Sequence, residues 1–390
     1  MRGEEDVSSQ PSIENVNRSL PAIQPVPADG RSVLSEEAFQ RMISVERKRT
    51  ERSRKPFLLM LLDTGHHPTS GKNGKALGNI LSVLLAATRE TDVTGWYKDH
   101  SVVGVMFTEL LIDGKNLILS TMLTRVTNAL RDNLTFEQFN QISISFHLFP
   151  EDWDHDGSQR PSNPTLYPDL VKRDVARKLP SSIKRIMDVT GSFFALVVFA
   201  PLFLLIALAI KVSSKGPVFF KQQRIGQHGK PFTFLKFRSM YIDNDSSVHK
   251  EYVRKLIAGQ AEQQPSNGNG DGVYKLTNDE RVTRMGAFLR RTSLDEFPQF
   301  INVFRGEMSL VGPRPPVQYE VEAYELWHRR RVLEAKPGIT GLWQVNGRSR
   351  VKFDEMVRLD LRYAQTWSPW LDIKILLRTP RAVLLGGGAY

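Results

Sequence analysis

The sequence predicts an α/β (α+β) chain with two folded parts, and three observations predict it. Residues 35–150 alternate strand-length and helix-length apolar runs. The stretch DWDHDGSQRPSNPTLYPD (152–169) is rich in Gly, Pro, Asn and Asp, the composition of a linker. The stretch VTGSFFALVVFAPLFLLIALAI (189–210) carries no charge and has the ~20-residue length that a bilayer core requires. At 390 residues the chain is longer than one ordinary domain.

The elements follow in order. A polar, Pro-rich start without the apolar core of a secretory signal reads as a disordered tail over 1–34. Ser35-Glu-Glu-Ala-Phe opens a helix running into the charged stretch Glu46–Lys55, which reads as a solvated face. PFLLMLLD (56–63) is a buried strand and KALGNILSVLLAATRE (75–90) an amphipathic helix. WYKDHSVVGVMF (96–107) reads as a hairpin, LILSTMLTRVTNALRDNL (117–134) as a helix, and ISISFHLFP (142–150) as a strand. Strand, helix, strand pair, helix, strand gives a ferredoxin-like domain over 35–150, a sheet with its helices on one face. A linker over 151–180 leads into a second domain, 181–390.

The uncharged 189–210 segment predicts insertion into a membrane, because a buried soluble helix rarely stays apolar on every side. Basic residues flank it on both sides: Lys172, Arg173, Arg177, Lys178, Lys184 and Arg185 before, Lys211, Lys215, Lys221 and Arg224 after. Matched flanks favour no direction of crossing. Pro201 in the middle removes one backbone hydrogen bond and bends the helix. The expectation is re-entry, with the bend at Pro201 and the basic residues kept beside anionic lipid.

Beyond it, GPVFFKQQRIGQHGKPFTFLKFRSM (216–240) reads as two strands joined at Gly226–Lys230, and 260–273 as a flexible loop. HRRR (328–331) reads as a surface basic patch, with His328 a surface residue rather than a metal ligand. FDEMVRLDLRYAQTWSPWLDIKILLRTPRAVLL (353–385) has helical periodicity with Trp367, Trp370, Lys374 and Arg378, which suits either a membrane interface or a core.

Composition narrows the function. Lys plus Arg number 53 against 42 acidic residues, a formal charge of +11 that suits anionic partners. The absence of cysteine excludes disulfides, thiolate metal sites and thiol nucleophiles. The basic residues cluster around the apolar segment without an aromatic-interleaved groove, so lipid and phosphate fit them and nucleic acid does not.

The chemistry concentrates in RRTSLDEFPQFINVFRGEMSLVGPRP (290–315). Ser293 and Glu296 have capping-box spacing, which alone would make Asp295 and Glu296 a helix start. Their neighbours argue for more. A carboxylate can act as a covalent nucleophile, but it approaches a diphosphate only where a metal and arginines offset the charge. Prolines 313, 315 and 316 would hold Arg314 rigidly, and preorganised positive charge is what phosphoryl transfer requires.

KRIMD (184–188) before a Pro-bent apolar segment, LKFRSM (235–240), LRRTSLDEFPQFINVFRGEMSLVGPRP (289–315) and PGITGLWQVNGR (337–348) together resemble the bacterial sugar transferase family of monotopic phosphoglycosyl transferases over 181–390. One departure is Glu280 in NDERVTR, where members often have Pro. The resemblance implies a re-entrant membrane helix, interfacial amphipathic helices, and a cytoplasmic-face site at the bacterial inner membrane. It implies transfer of a sugar 1-phosphate from a UDP-sugar to undecaprenyl phosphate, releasing UMP and starting a surface glycan through an aspartyl-phosphosugar intermediate with Mg²⁺. Carried over, Asp295 is nucleophile and metal ligand, Glu296 is its acidic partner, and Arg290 and Arg314 lie near the phosphates. Lys236 and Arg238 are candidates for phosphate contact, with a solvated strand edge as the other reading. Asn346 and Arg348, in a Gly-rich loop, are candidates for the nucleotide. No motif reports which sugar is transferred.

Residues 35–150 loosely resemble a GGDEF-type nucleotidyl cyclase domain, FLLMLLD ending at Asp63 matching that family's first strand and its metal-binding Asp. KDHSV (98–102) stands where that family has its glycines and catalytic acids, so a degenerate, regulatory or homodimerising role is expected. The rival reading is a membrane-anchored nucleotide-sensing regulatory protein without transferase activity, which would need an intact ligand site there.

Overall fold

The computed structural model describes residues 32–63, 71–108, 110, 115–136, 139, 142–150, 163–176, 178–242, 247–261, 274, 281–347 and 351–385. The disordered-tail expectation therefore falls almost wholly outside the described residues, as do 151–162 of the linker, most of the 260–273 loop, Glu280 and Arg348.

The first part is a four-stranded antiparallel sheet. Helix α1 (Glu36–Ser53) is capped by Ser35, whose hydroxyl accepts from the Ala38 amide at 3.4 Å. Strand β1 (Phe57–Asp63), helix α2 (Gly71–Ala87), strands β2 (Val93–Lys98) and β3 (Val102–Phe107), helix α3 (Lys115–Asn133) and strand β4 (Ser143–Phe149) follow. The spatial order is β2-β3-β1-β4. Leu58, Met60 and Leu62 pack under Ile80 and Leu84 of α2 and Val126 and Leu130 of α3. Phe57, Leu59 and Leu61 face the other way, against Phe39 and Ile43 of α1 and against Leu166 and Tyr167.

The expectation of helices on one face is thus corrected. β1 is apolar on both sides, and both sides must be covered. The α1 side is shaped for its cover: Gly95 and Gly104 pair across β2 and β3, and a Cβ on either would come within 2.6 Å or 2.2 Å of the Phe39 ring. The 46–55 stretch is not simply solvated either. Arg47 is buried, 2.6 Å from Asp169 and stacked 4.5 Å over Tyr167.

A short 3₁₀ turn (Pro164–Leu166) leads to helix α4 (Pro168–Ala176), then α5 (Lys178–Val198) and α6 (Ala200–Ser213). No single described helix is long and apolar enough to cross a membrane, but Pro180–Val198 and Ala200–Ser213 pass together as a pair bent by 60°. Pro201 lies in the first turn of α6, where its missing N–H costs no helical hydrogen bond. Phe193, Phe194 and Val197 of α5 and Leu204, Leu205, Leu208 and Val212 of α6 are exposed.

The opposite side of α5 binds the protein. Lys184 lies 2.6 Å from Asp372 and also donates to the Val311 carbonyl; Arg185 donates to the carbonyls of Val303 and Phe304. Buried Asp188 accepts from the Ser309 hydroxyl and the Leu310 amide, both at 2.9 Å. Lys184 and Arg185 therefore hold the fold together rather than greeting lipid, a correction to the matched-flank reading.

Strands β5 (Phe219–Ile225) and β6 (Pro231–Phe237) form an antiparallel hairpin, followed by helices α7 (Ser247–Ile257), α8 (Arg284–Thr292) and α9 (Gln299–Arg305). Strand β7 (Ser309–Val311), helices α10 (Gln318–Glu322) and α11 (Leu326–Glu334), strand β8 (Gly338–Thr340) and helices α12 (Leu342–Asn346), α13 (Phe353–Thr366) and α14 (Pro369–Leu385) complete the chain. β7 and β8 pair in parallel, and a Cβ on Gly338 would lie 2.0 Å from the Gly312 amide, so only glycine permits that approach.

Helix α11 serves both parts. Leu333 is buried with Phe57, Phe149 and Tyr167, and Glu334 pairs with Arg173 at 3.0 Å and Arg330 at 2.7 Å. His328 is buried too, its ring bonded to Asp354 and accepting from the Glu325 amide. The surface basic patch expected at 328–331 is thus not what forms: α11 buries the first and last members of the run, His328 and Arg331, three residues apart on one face.

Candidate active site

Helix α8 begins at Thr283, whose hydroxyl accepts from the Gly286 amide at 2.8 Å. A Cβ on Gly286 would sit 1.9 Å from the Ser239 carbonyl oxygen, so this glycine lets α8 lie directly on the backbone leaving β6. The helix ends at Ser293, in the left-handed region with φ 57°. A single 3₁₀ turn, Leu294–Glu296, then carries the two acids, and Pro298 leads into α9.

The Ser293–Glu296 capping box therefore does not form: Ser293 closes α8 in the left-handed region, and its side chain makes no cap hydrogen bond to the 3₁₀ turn that follows. The amides of Glu296 and Phe297 bond back to the carbonyls of Ser293 and Leu294. Asp295 is turned inward and buried.

Opposite it stands Lys236 of β6, its Nζ 3.4 Å from Asp295 Oδ2. β6 is locked to α9, which follows the turn, by Asn302, fully buried. Its Oδ1 accepts from the Leu235 amide at 3.1 Å, and its Nδ2 donates to the Thr233 carbonyl at 2.7 Å and to Glu307 at 2.6 Å. Sequence reasoning missed Asn302; an uncharged amide in the apolar run FPQFINVF was its only signal.

Burial raises the Asp295 pKa above the ordinary carboxylate value, with Glu296 adding to the rise and Lys236 and Arg290 opposing it. Burial likewise lowers Lys236 below the ordinary lysine value; Asp295 and Glu296 oppose that, and Arg314 and Arg224 reinforce it. These causes define the neighbourhood: two carboxylates, one lysine and three arginines feel one another's charge. Arg314 is exposed on the rim, while Arg224 is buried beneath it. Burial first, and Arg314 second, push Arg224 down to about 10. Its guanidinium stacks 4.7 Å over Phe234 and holds Gln222 through Nε and Nη2. The sequence reading treated Arg224 only as a membrane flank.

Of the expected phosphate contacts, Lys236, Arg290 and Arg314 surround the acids. Arg238 does not. It lies beyond the end of β6 and donates to the carbonyls of Ser214 and Lys215 and to the Ser214 hydroxyl, closing the end of α6. Asn346 is exposed at the end of α12 and stands apart from the hydrogen bonds of the Asp295 cluster; Arg348 lies outside the described residues.

Comparison with known proteins bears on this half of the chain. Residues 179–386 match the family described as Bacterial sugar transferase. The Galactosyl transferase CpsE of Streptococcus agalactiae serotype III is 43% identical over 207 residues, covering 53% of this chain and 43% of that protein. The Undecaprenyl-phosphate galactose phosphotransferase of Salmonella typhimurium is 42% identical over 220 residues, 56% of this chain and 44% of that one. The Exopolysaccharide production protein ExoY of Rhizobium meliloti is 41% identical over 229 residues, 59% of this chain and 96% of that one. The chain thus spans less than half the length of the first two. Among solved structures, a DGC protein from Thermotoga maritima aligns with 31% of this chain at 21% identity and a TM-score of 0.26, which carries no argument.

Proposed function

The chain belongs to the bacterial sugar transferase family, and from that premise we propose that it transfers a sugar 1-phosphate from a UDP-sugar to undecaprenyl phosphate, releasing UMP and starting an exopolysaccharide or other surface glycan. The observation that carries this reading is the apposition of buried Asp295 and Lys236 within a ring of arginines. A diphosphate brings its own negative charge, and that ring offsets it where water cannot.

The chemistry runs in two displacements. A carboxylate oxygen of Asp295 attacks the β-phosphorus of the UDP-sugar. The new O–P bond forms as the bond to the bridging oxygen breaks, and UMP leaves with the electron pair. A phosphate oxygen of undecaprenyl phosphate then attacks the same phosphorus and displaces Asp295. Lys236, Arg290 and Arg314 hold the phosphate oxygens; Glu296 is the acidic partner.

Mg²⁺, when bound, would neutralise charge on the diphosphate. No cluster of three or more His, Asp or Glu side chains among the described residues is arranged to hold a metal alone. Asp295 with Glu296 beside it fits an ion that takes one or two carboxylates and completes its shell with phosphate oxygens and water.

A lipid acceptor requires the site to lie at a membrane. The bent α5–α6 pair, apolar on its outer side, supports a re-entrant seat in the cytoplasmic leaflet of the inner membrane. The test is purified full-length protein in detergent with Mg²⁺, undecaprenyl phosphate and a panel of UDP-sugars, following UMP. Release from at least one sugar supports the proposal; release from none overturns it.

A further inference from the structure

The arm Gly312–Pro316 presents Arg314 to the site; Gly312 donates its amide to the Thr340 carbonyl at 2.8 Å, but beyond it the three prolines have no N–H with which to tie the arm down. It is held by its carbonyls instead. Pro313 accepts from the Gly338 amide at 2.8 Å, and Pro316 from the Ile225 amide at 2.9 Å. Between them, Pro315 accepts from Arg224 Nη1 at 2.6 Å and Arg314 from Arg331 Nη2 at 3.4 Å. Four successive carbonyls are engaged, the middle two by guanidinium groups buried in the protein.

Arg331 reaches the arm from α11. Its Nη2 lies 2.6 Å from Asp360 and its Nη1 donates to the Tyr324 hydroxyl at 3.3 Å; the Arg331 and Asp360 side chains are 3% and 1% exposed. Asp360 compensates the buried charge, so the guanidinium is fixed in orientation before it meets the arm. Arg224 is fixed on the other side by Gln222 and Phe234.

We propose that Arg331, with Arg224 opposite, is a positioning residue for phosphoglycosyl transfer: it fixes the Pro-Arg-Pro backbone so that the exposed Arg314 side chain meets the substrate diphosphate already aligned. Neither arginine touches substrate; both act through Arg314. The inference rests on the function proposed above, and a misplacement of about 1 Å at such a contact is worth up to ~100-fold in rate.

The experiment is a double-mutant cycle in the full-length protein, reading kcat and KM for the UDP-sugar together with the melting temperature. Arg331→Lys keeps one positive charge for Asp360 but cannot occupy both Nη positions. It is expected to lower kcat/KM by about tenfold or more. In an Arg314→Ala background the same change should cost no more than about twofold, because the side chain it positions is gone. If Arg331→Lys does not fold, Arg224→Lys runs through the same cycle against Arg314→Ala. Wild-type protein that releases no UMP overturns the proposed function and this inference with it. Active wild type with an unimpaired Arg331→Lys variant overturns the inference alone, and so do losses that multiply fully in the two backgrounds, as a purely structural role requires.

Discussion

Lys236 Nζ lies 3.4 Å from Asp295 Oδ2, and burial acts against the charged form of both. A carboxylate kept from water and paired with one lysine is a better nucleophile than a solvated one, since less hydration must be stripped before it reaches phosphorus. The pair is also a cost to the fold, which is the usual sign of a functional site.

Asp295→Asn is accordingly expected to abolish UMP release, by at least ~1,000-fold, while the melting temperature stays within a few degrees of wild type. The amide keeps the shape and removes the charge that burial opposes. Turnover at near-normal rates would show that Asp295 is not the nucleophile.

The pH profile follows with a definite sign. As the proposed nucleophile, Asp295 must be ionised to attack, so kcat/KM is expected to rise with pH as its elevated pKa is passed. Lys236 is the largest influence holding that pKa down. Lys236→Met should therefore move the acid limb to higher pH, in addition to reducing the maximum rate. An acid limb that stays in place or moves down would break the link between these two residues.

Asp360 gives a second pH signature, in stability. Burial raises its pKa from the ordinary 3.8 to about 6, against the opposing pull of Arg331. Between those values the folded chain holds a proton that the unfolded chain has released. The stability contributed by this group is full below the lower value and falls as pH rises through the window, by about 1.4 kcal/mol per pH unit. Asp360→Asn should lack that component, so the stability difference between wild type and variant should move toward the variant as pH rises from about 4 to about 6. Equilibrium unfolding in detergent at several pH values measures it; a flat difference would refute it.

Membrane seating can be read by labelling, because the chain has no native cysteine. Ser182→Cys and Lys215→Cys bracket the bent pair and are both exposed. In cells, an impermeant maleimide should reach neither from outside and both after the cytoplasmic side is opened. Pro201→Leu supplies an N–H able to carry the helical hydrogen-bond ladder across the break between α5 and α6, so it should straighten the pair and favour a spanning form. External labelling of either flank in the parent protein would rule out re-entry.

Much of the architecture was legible because it is written in apolar periodicity. β1 is one unbroken apolar run, and the β5–β6 hairpin is announced by Gly226 and Gly229. The illegible features are pairings between distant residues. Lys236 and Arg238 alternate as if they shared one face, but β6 ends at Phe237 and only Lys236 meets Asp295. His328 looked exposed among arginines until Asp354, 26 residues on, supplied a buried partner. Arg224 read as a lipid-facing flank because nothing local reveals the Pro315 carbonyl 91 residues away.

Helix α11 makes the two halves of this chain poor candidates for recombination. Its Leu333 lies under Phe57, Phe149 and Tyr167, while the neighbouring Arg331 supports the arm from the other side. A C-terminal half released by cutting before α4 would uncover that leucine, two residues from Arg331, forfeiting about 2 kcal/mol of apolar burial. Swapping first halves between members of this family should succeed only when the docking face of α11 travels with them.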